Sequence, residues 1–251
     1  MKKRLLTALM TSLGVFFFLP VASLAIKSLT FGGNLSLAQY WELFTVDHAY
    51  FKYFWNSVLY AFVITSASIM ISVPLGFLFA KIKFRGAKAL FFIYIAVMLL
   101  PFQATLLPNY IRLRDLGFLN TPLALTLPMI FSPFAVFLTR QFMTSVPDEL
   151  IDYAQLETSS ALKIMRCAVW PQIKPAISAL AVLIFCESWN IVEQALIFSM
   201  DNPEIYPLSV KLAELPEDVA SAGGAVYMFP ALMLFLIFRK PLETSMESYK
   251  L

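Results

Sequence analysis

Long apolar runs alternate with short polar segments along the whole chain of 251 residues. Each run comes close to or reaches the ~17–25 residues that a helix needs to cross the hydrocarbon core of a bilayer. The runs are apolar at consecutive positions, whereas strands of a membrane β-barrel alternate between apolar and polar side chains. The pattern therefore predicts an all-α polytopic membrane protein with six transmembrane helices in a single domain. The predicted spans are residues 5–26, 58–80, 90–107, 123–139, 176–198 and 222–238.

Composition and charge support this class and orient the chain. Hydrophobic residues make up 59% of it and charged residues only 14%, which is unlike a soluble domain. With the N-terminus inside, fourteen of the nineteen lysines and arginines, Lys250 among them, fall on the inner side. This bias follows the positive-inside rule. It predicts cytoplasmic termini, an outer segment at 27–57 and a cytoplasmic loop at 140–175. The first apolar run is long for a signal peptide, so we interpret it as an uncleaved span.

The loop between the fourth and fifth spans interrupts the apolar pattern with charged residues. Its sequence predicts two short helices that meet at an elbow at Thr158-Ser159-Ser160, where hydroxyl groups can cap the second helix. Pro171 and Pro175 are expected to end that second helix before the fifth span begins.

This loop resembles the EAA loop of permease subunits in binding-protein-dependent ABC importers, in particular the sugar and oligosaccharide (maltose-type) importers. The chain supplies Pro147, Glu149, Leu150, Asp152 (for Glu), Tyr153 (for Ala), Ala154, Glu157 (for Asp), Ser159, Ser160, Pro171 and Pro175. The glycine of the family elbow is replaced by Thr158, and a β-branched residue is disfavoured at positive φ. Two explanations stay open. The elbow is built differently, with Thr158 as a cap, or the docking surface is adapted to an unusual partner.

Two further stretches carry the same resemblance. Residues 101–121 follow the family pattern P-x-Q-x-x-x-x-P-x-Y…L-x-x-x-G-L-x-N-T closely. In the fifth span Trp189-Asn190 match a W-N pair, although Ala195 stands where the family has proline and Glu187 replaces a small residue.

The resemblance implies a type I importer permease fold in a bacterial or archaeal cytoplasmic membrane, forming half of a carbohydrate pathway. It implies four kinds of partner: a second homologous permease, two ATPase subunits that carry ATP and Mg, an extracytoplasmic solute-binding protein and a sugar substrate. Membrane lipid is a further expected partner of a chain with six spans. A coupling helix between spans 4 and 5 would dock on the ATPase. The coupling residues expected from the match are Glu149, Leu150, Asp152, Tyr153, Ala154, Glu157, Thr158 and Pro171.

Polar residues inside the fifth span are the candidates for the pathway. Helical spacing allows Glu187, Asn190 and Glu193 to share one side of that helix, and ionisable groups within a span usually face a pathway or a partner charge. These residues either line the translocation cavity, or pack against a partner permease or reach hydrated headgroups. Trp189 can stack on a sugar face, but an isolated tryptophan in a membrane helix more often serves packing.

The sequence contains no G-x-x-x-x-G-K-[ST] loop, so we expect ATP hydrolysis on a separate subunit and no cofactor on this chain. Neither a catalytic constellation nor a metal site is expected, and no basic groove indicates nucleic acid. The alternative is a proton-coupled secondary transporter that uses Glu187 or Glu193. Six spans without a visible inverted repeat make that architecture less consistent with the chain.

Overall fold

The computed structural model describes residues 2–45 and 48–248; Lys250, counted above among the inner cations, lies outside this part. Helices dominate it. The helices are α1 (Lys2–Ser28), α2 (Ala38–Thr45), α3 (His48–Lys81), α4 (Ala87–Met98), α5 (Phe102–Asp115), α6 (Pro122–Ile130), α7 (Pro133–Thr144), α8 (Asp148–Glu157), α9 (Ala161–Ile164), α10 (Trp170–Trp189), α11 (Glu193–Phe198), α12 (Leu208–Lys211) and α13 (Glu217–Ser248). The antiparallel strands β1 (Thr30–Phe31) and β2 (Asn34–Leu35) form a small hairpin.

Five helical segments of the described chain are long and apolar enough to cross a membrane, and a sharply bent pair makes up to six. The five segments are Leu5–Ser28, Tyr50–Lys81, Pro122–Thr144, Ala161–Trp189 and Glu217–Lys240. The bent pair is Ala87–Met98 with Phe102–Asp115.

The region of the predicted third span, 90–107, contains a sharp break, because α4 and α5 meet at an angle of 98°. Leu99 and Leu100 leave the helix, and Pro101 precedes α5 in extended backbone with φ −62° and ψ 138°. Proline removes a backbone donor and restricts the residue before it, which favours a break at this point.

The fourth apolar run is also divided, between α6 and α7 at Phe131 and Ser132. The Ser132 hydroxyl accepts a hydrogen bond from the backbone N–H of Ala135 at 3.3 Å and so caps the new helix. A run that reads as one span at 123–139 therefore consists of two helices.

The boundaries predicted around the fifth span need two corrections. Pro171 and Pro175 do not end the preceding helix, because a π-helical segment, Met165–Val169, joins α9 to α10 without interruption. A π segment just before a proline rearranges the backbone bonds that proline cannot make. At its other end α10 stops at Trp189, not at 198, and α11 begins only at Glu193.

The core of the bundle lies where α3 packs against α7 and α10. Gly76 makes this close approach possible, since a Cβ there would lie 2.7 Å from Cγ2 of Thr139. At the other end of α3, the Asn56 amide and the Tyr60 hydroxyl donate to backbone carbonyls of 204–206. The segment after α11 is thereby tied to the same helix.

Candidate functional site

The first candidate region is α8, which lies beside the bundle end formed by α3 and α7. Ile151 is buried, and Leu150 and Ala154 pack against the same core from the inward side of the helix. Two of the predicted coupling residues, Leu150 and Ala154, therefore hold α8 on the bundle.

The opposite side of α8 is exposed and carries the remaining predicted residues, Glu149, Asp152, Tyr153 and Glu157. Two large apolar side chains lie within it: Tyr153 is 71% exposed and Leu156 is 84% exposed. Positions 149, 153 and 156 recur at helical spacing, so the apolar pair and the acids form one face. We call Glu149, Asp152, Tyr153, Leu156 and Glu157 the α8 face. The family match did not identify Leu156, but its helical period relative to buried Ile151 places it outward.

The elbow after α8 is built without a glycine. Thr158 has φ −154° and ψ 139°, which is extended backbone open to any residue. Its hydroxyl accepts from the Ser160 N–H at 3.2 Å, and the Ser160 hydroxyl caps α9 by accepting from the Lys163 N–H at 3.5 Å. Of the two explanations for the missing glycine, the structure therefore supports a differently built elbow. Pro171 lies beyond it, exposed within the continuous helix.

A buried lysine ties the start of α8 to the end of α3. The Lys81 ammonium donates to the Val146 carbonyl at 2.5 Å and to a carboxylate oxygen of Asp148 at 2.6 Å. The Lys81 side chain is only 5% exposed. Its hydrogen bond and positive charge lower the pKa of Asp148 below the ordinary value. The family match gave no reason to single out Lys81, whose partners lie more than sixty residues away in the sequence.

The second candidate region is the break between α10 and α11. Trp189 is 1% exposed and is enclosed by Phe54, Phe185 and Tyr227, with ring centroids between 5.6 and 6.0 Å away. Its indole N–H donates to the Tyr227 carbonyl at 3.1 Å. This placement favours the packing interpretation of Trp189, because its ring is covered within the chain.

Asn190 is the residue directly after α10, and its side chain lies at the exposed side of the break. Its amide N–H donates to the Cys186 carbonyl at 2.7 Å, and its amide oxygen accepts from the Tyr227 hydroxyl at 2.7 Å. Hydrogen bonds within this chain therefore fix both the nitrogen and the oxygen of the Asn190 amide. Tyr227 was not predicted, because it lies on α13, thirty-seven residues further along.

The two acids flanking Asn190 are both exposed, but they do not share one helix. Glu187 belongs to the last turn of α10, whereas Glu193 opens α11 after the irregular residues 190–192. The argument from continuous helical spacing is therefore wrong for Glu193. Its carboxylate instead accepts from the Gln103 amide at 3.3 and 3.5 Å, which links the break to the bent α4–α5 pair.

Nothing in these two regions forms a metal centre: within residues 2–45 and 48–248 no cluster of three His, Cys, Asp or Glu side chains can hold a metal ion. The groups on offer are carboxylates, amides, a phenol and exposed apolar side chains. Such groups bind hydroxyl-rich solutes and protein surfaces without covalent chemistry.

Comparison with known proteins gives a family model, described as binding-protein-dependent transport system inner membrane component, that matches residues 72–246. The arabinooligosaccharides transport system permease protein AraQ of Halalkalibacterium halodurans is 29% identical over 82% of this chain and 76% of that protein. The sn-glycerol-3-phosphate transport system permease protein UgpE of Brucella abortus is 33% identical over 54% of this chain and 48% of that protein.

A solved structure has the same fold. It is the crystal structure of a bacterial ABC transporter involved in the import of the acidic polysaccharide alginate. One of its chains superposes with a TM-score of 0.80 over 92% of this chain and 94% of that chain, at 19% sequence identity.

Proposed function

Because the chain belongs to the family of inner membrane components of binding-protein-dependent transport systems, it is a translocation subunit, and we propose that it forms half of the import pathway for a carbohydrate. ATP hydrolysis belongs to a separate subunit, since the related proteins are permeases. In the proposed complex two such ATPases bind ATP and Mg on the cytoplasmic side. A second homologous permease completes the pathway, and a solute-binding protein delivers the substrate from outside. Both termini of this chain lie in the cytoplasm.

One structural observation carries the proposal. The α8 face and the polar break at Asn190 lie at opposite ends of one helical unit, because Ala161–Trp189 is a continuous helix of 29 residues. Such a helix is about 43 Å long and crosses the bilayer. A displacement of α8 is therefore passed along a stiff element to the residues at the far end.

The coupling step follows from this arrangement. The α8 face docks on an ATPase subunit, with Tyr153 and Leu156 entering an apolar groove and the surrounding acids facing its cations. Closure of the two ATPases around ATP moves α8 together with the helix that follows it. The bundle then changes between inward-open and outward-open states, a two-state rearrangement biased by nucleotide.

A carbohydrate is the substrate class that the available groups suit best. Glu187, Asn190 and Glu193 offer hydrogen-bond acceptors at the exposed side of the break, and amides and carboxylates bind sugar hydroxyls. The relatives are named for arabinooligosaccharides and sn-glycerol-3-phosphate, both rich in hydroxyl groups. The buried ring of Trp189 packs inside the bundle next to these residues and helps to hold them in place.

The experiment that tests coupling is Glu157→Arg in the assembled transporter, with Glu157→Gln as the matched control. Reversing the charge should keep ATP hydrolysis but abolish uptake, because α8 is docked in the wrong register, whereas the neutral amide should have a smaller effect. Wild-type uptake by Glu157→Arg would remove α8 from the coupling role. The assembly of each variant is checked by co-purification of the ATPase.

The pathway assignment has its own experiment, Asn190→Leu. We expect altered concentration dependence of solute uptake with ATPase docking intact, and an unaltered uptake curve would exclude Asn190. The same uptake assay tests the alternative function, proton-coupled secondary transport through Glu187 or Glu193. The family match does not support this alternative. Uptake should require ATP and continue when the proton gradient is collapsed.

A further inference from the structure

A groove of about 1330 Å³ opens beside α8 at the proposed cytoplasmic end of the bundle. Its walls come from the end of α3, the turn at residues 82–86, the first half of α4, Arg140 of α7 and the inner edge of α8. Since α3 ends and α4 begins here, the groove lies where two membrane helices meet the headgroup layer.

The rim of the groove is positively charged. Lys83 and Lys88 are exposed there, and no acid within the described residues pairs with them or with Arg140. The other lysine of the lining, Lys81, is already bonded to Asp148. The lining thus carries four cations, Lys81, Lys83, Lys88 and Arg140, against two acids, Asp148 and Asp152. Asp148 also lies in the field of Lys83, and the remaining excess of positive charge attracts an anion.

The floor of the groove is apolar. Lys88, Phe91, Phe92 and Ile95 line it at spacings of three, four and seven residues along α4, which places them on one side of the helix. They extend over about 10 Å. Phe92 is 71% exposed, and the Arg140 guanidinium lies 4.1 Å from the centre of the Phe91 ring. Cations therefore stand at one end of an apolar stripe that runs along α4.

We propose that this groove binds one anionic phospholipid. Its phosphate lies among Lys83, Lys88 and Arg140, and one acyl chain follows Phe92 and Ile95, beside the buried Phe91 ring. The apolar stripe distinguishes a lipid from free phosphate, because free phosphate has no apolar group that could contact the stripe. The stripe also distinguishes a lipid from an ATPase surface, because α4 belongs to a bent helix pair that is long and apolar enough to enter a membrane. A bound lipid would brace the turn beside α8 without taking part in solute binding, and the site is independent of the transported substrate.

The test uses the full chain, in its complex, in nanodiscs of phosphatidylcholine alone or of an equal mixture with phosphatidylglycerol. Native mass spectrometry counts retained phosphatidylglycerol, and a photoactivatable phosphatidylglycerol identifies the labelled peptide. The variant is Lys83→Gln with Lys88→Gln. The matched control, Lys27→Gln with Arg112→Gln, removes two exposed charges at the opposite end of the bundle.

We expect one retained phosphatidylglycerol, cross-linked to the α4 peptide, in the wild type and the control. Loss of two cations at the membrane surface should weaken retention about 30-fold. Phe92→Ser should also weaken retention with both lysines present, and because serine is neutral this variant separates acyl contact from charge. Equal retention in wild type and double variant would overturn the proposal. So would displacement of the label by inorganic phosphate, or cross-linking of the α4 peptide to the ATPase in place of lipid.

Discussion

The docking role of the α8 face predicts a measurable loss when Leu156 is shortened to alanine. Leu156 is 84% exposed on this chain, so nearly all of its side chain is available for burial against a partner. Burying a leucine is worth about 1.5–3 kcal/mol, and the exposed share sets the loss at roughly 2 kcal/mol. The dissociation constant of the ATPase should therefore rise about 30-fold.

The assay is titration of the labelled ATPase subunit onto the chain in nanodiscs, followed by fluorescence anisotropy. Leu35→Ala is the matched control. Leu35 is 85% exposed, like Leu156, but it lies in the β1–β2 hairpin that follows α1, away from α8. Thermal unfolding should be the same for both variants, since neither side chain is buried within the chain. Unchanged ATPase affinity in Leu156→Ala and also in Tyr153→Ala would refute the docking assignment.

Three further outcomes follow from the packing, the polar break and the ion pair. Gly76→Ala should lower the free energy of unfolding by about 1–3 kcal/mol, because its Cβ would lie 2.7 Å from a Thr139 methyl; thermal unfolding in detergent measures it, and a neutral result would contradict the close approach. Tyr227→Phe removes the hydroxyl that holds the Asn190 amide at 2.7 Å, a hydrogen bond worth about 1 kcal/mol. The solute concentration for half-maximal uptake should then shift about fivefold with unchanged ATPase docking; an unshifted value would show that the orientation of the amide is immaterial. The pKa of Asp148 is lowered in the fold, so its stabilising contribution is complete above the ordinary value of 3.8 and is lost as the pH falls through the lowered value. The difference in melting temperature between wild type and Asp148→Asn should accordingly vanish in acid, and a constant difference would exclude the ion pair as its cause.

Hydropathy predicted where membrane helices occur better than it predicted where they break. The reason is that apolar composition persists through a break: Ile191 and Val192 are as apolar as the helix before them, yet neither belongs to α10 or α11. The positions of the prolines did not predict the helix breaks either. Pro101 precedes a 98° bend, whereas Pro74 and Pro175 lie inside intact helices. Membrane helices tolerate proline where neighbouring helices and local adjustments re-satisfy the backbone, and such compensation cannot be seen in the local sequence.

The family motif pointed to α8 as the proposed coupling region but did not separate its two kinds of residue. Leu150 and Ala154 match the motif and pack α8 on the bundle, whereas Glu149, which also matches, and Tyr153, which replaces an alanine, lie on the outward side. Leu156 has no letter in the motif, so only the orientation of the helix identifies it. The departure at Thr158 also became interpretable only from its backbone angles, since an extended residue needs no glycine.

The residues that sequence reasoning missed anchor the two ends of the proposed coupling path. Lys81 joins α3 to the start of α8, and Tyr227 joins α13 to the end of α10, in both cases through a side chain distant in sequence. A displaced α8 therefore pulls on α3 as well as on the helix that follows it. At the far end, the same displacement acts against a hydrogen bond from α13. Movement of this subunit then involves three membrane helices together, and weakening the Lys81 anchor should lower the uptake obtained per ATP hydrolysed, which a combined uptake and ATPase assay measures.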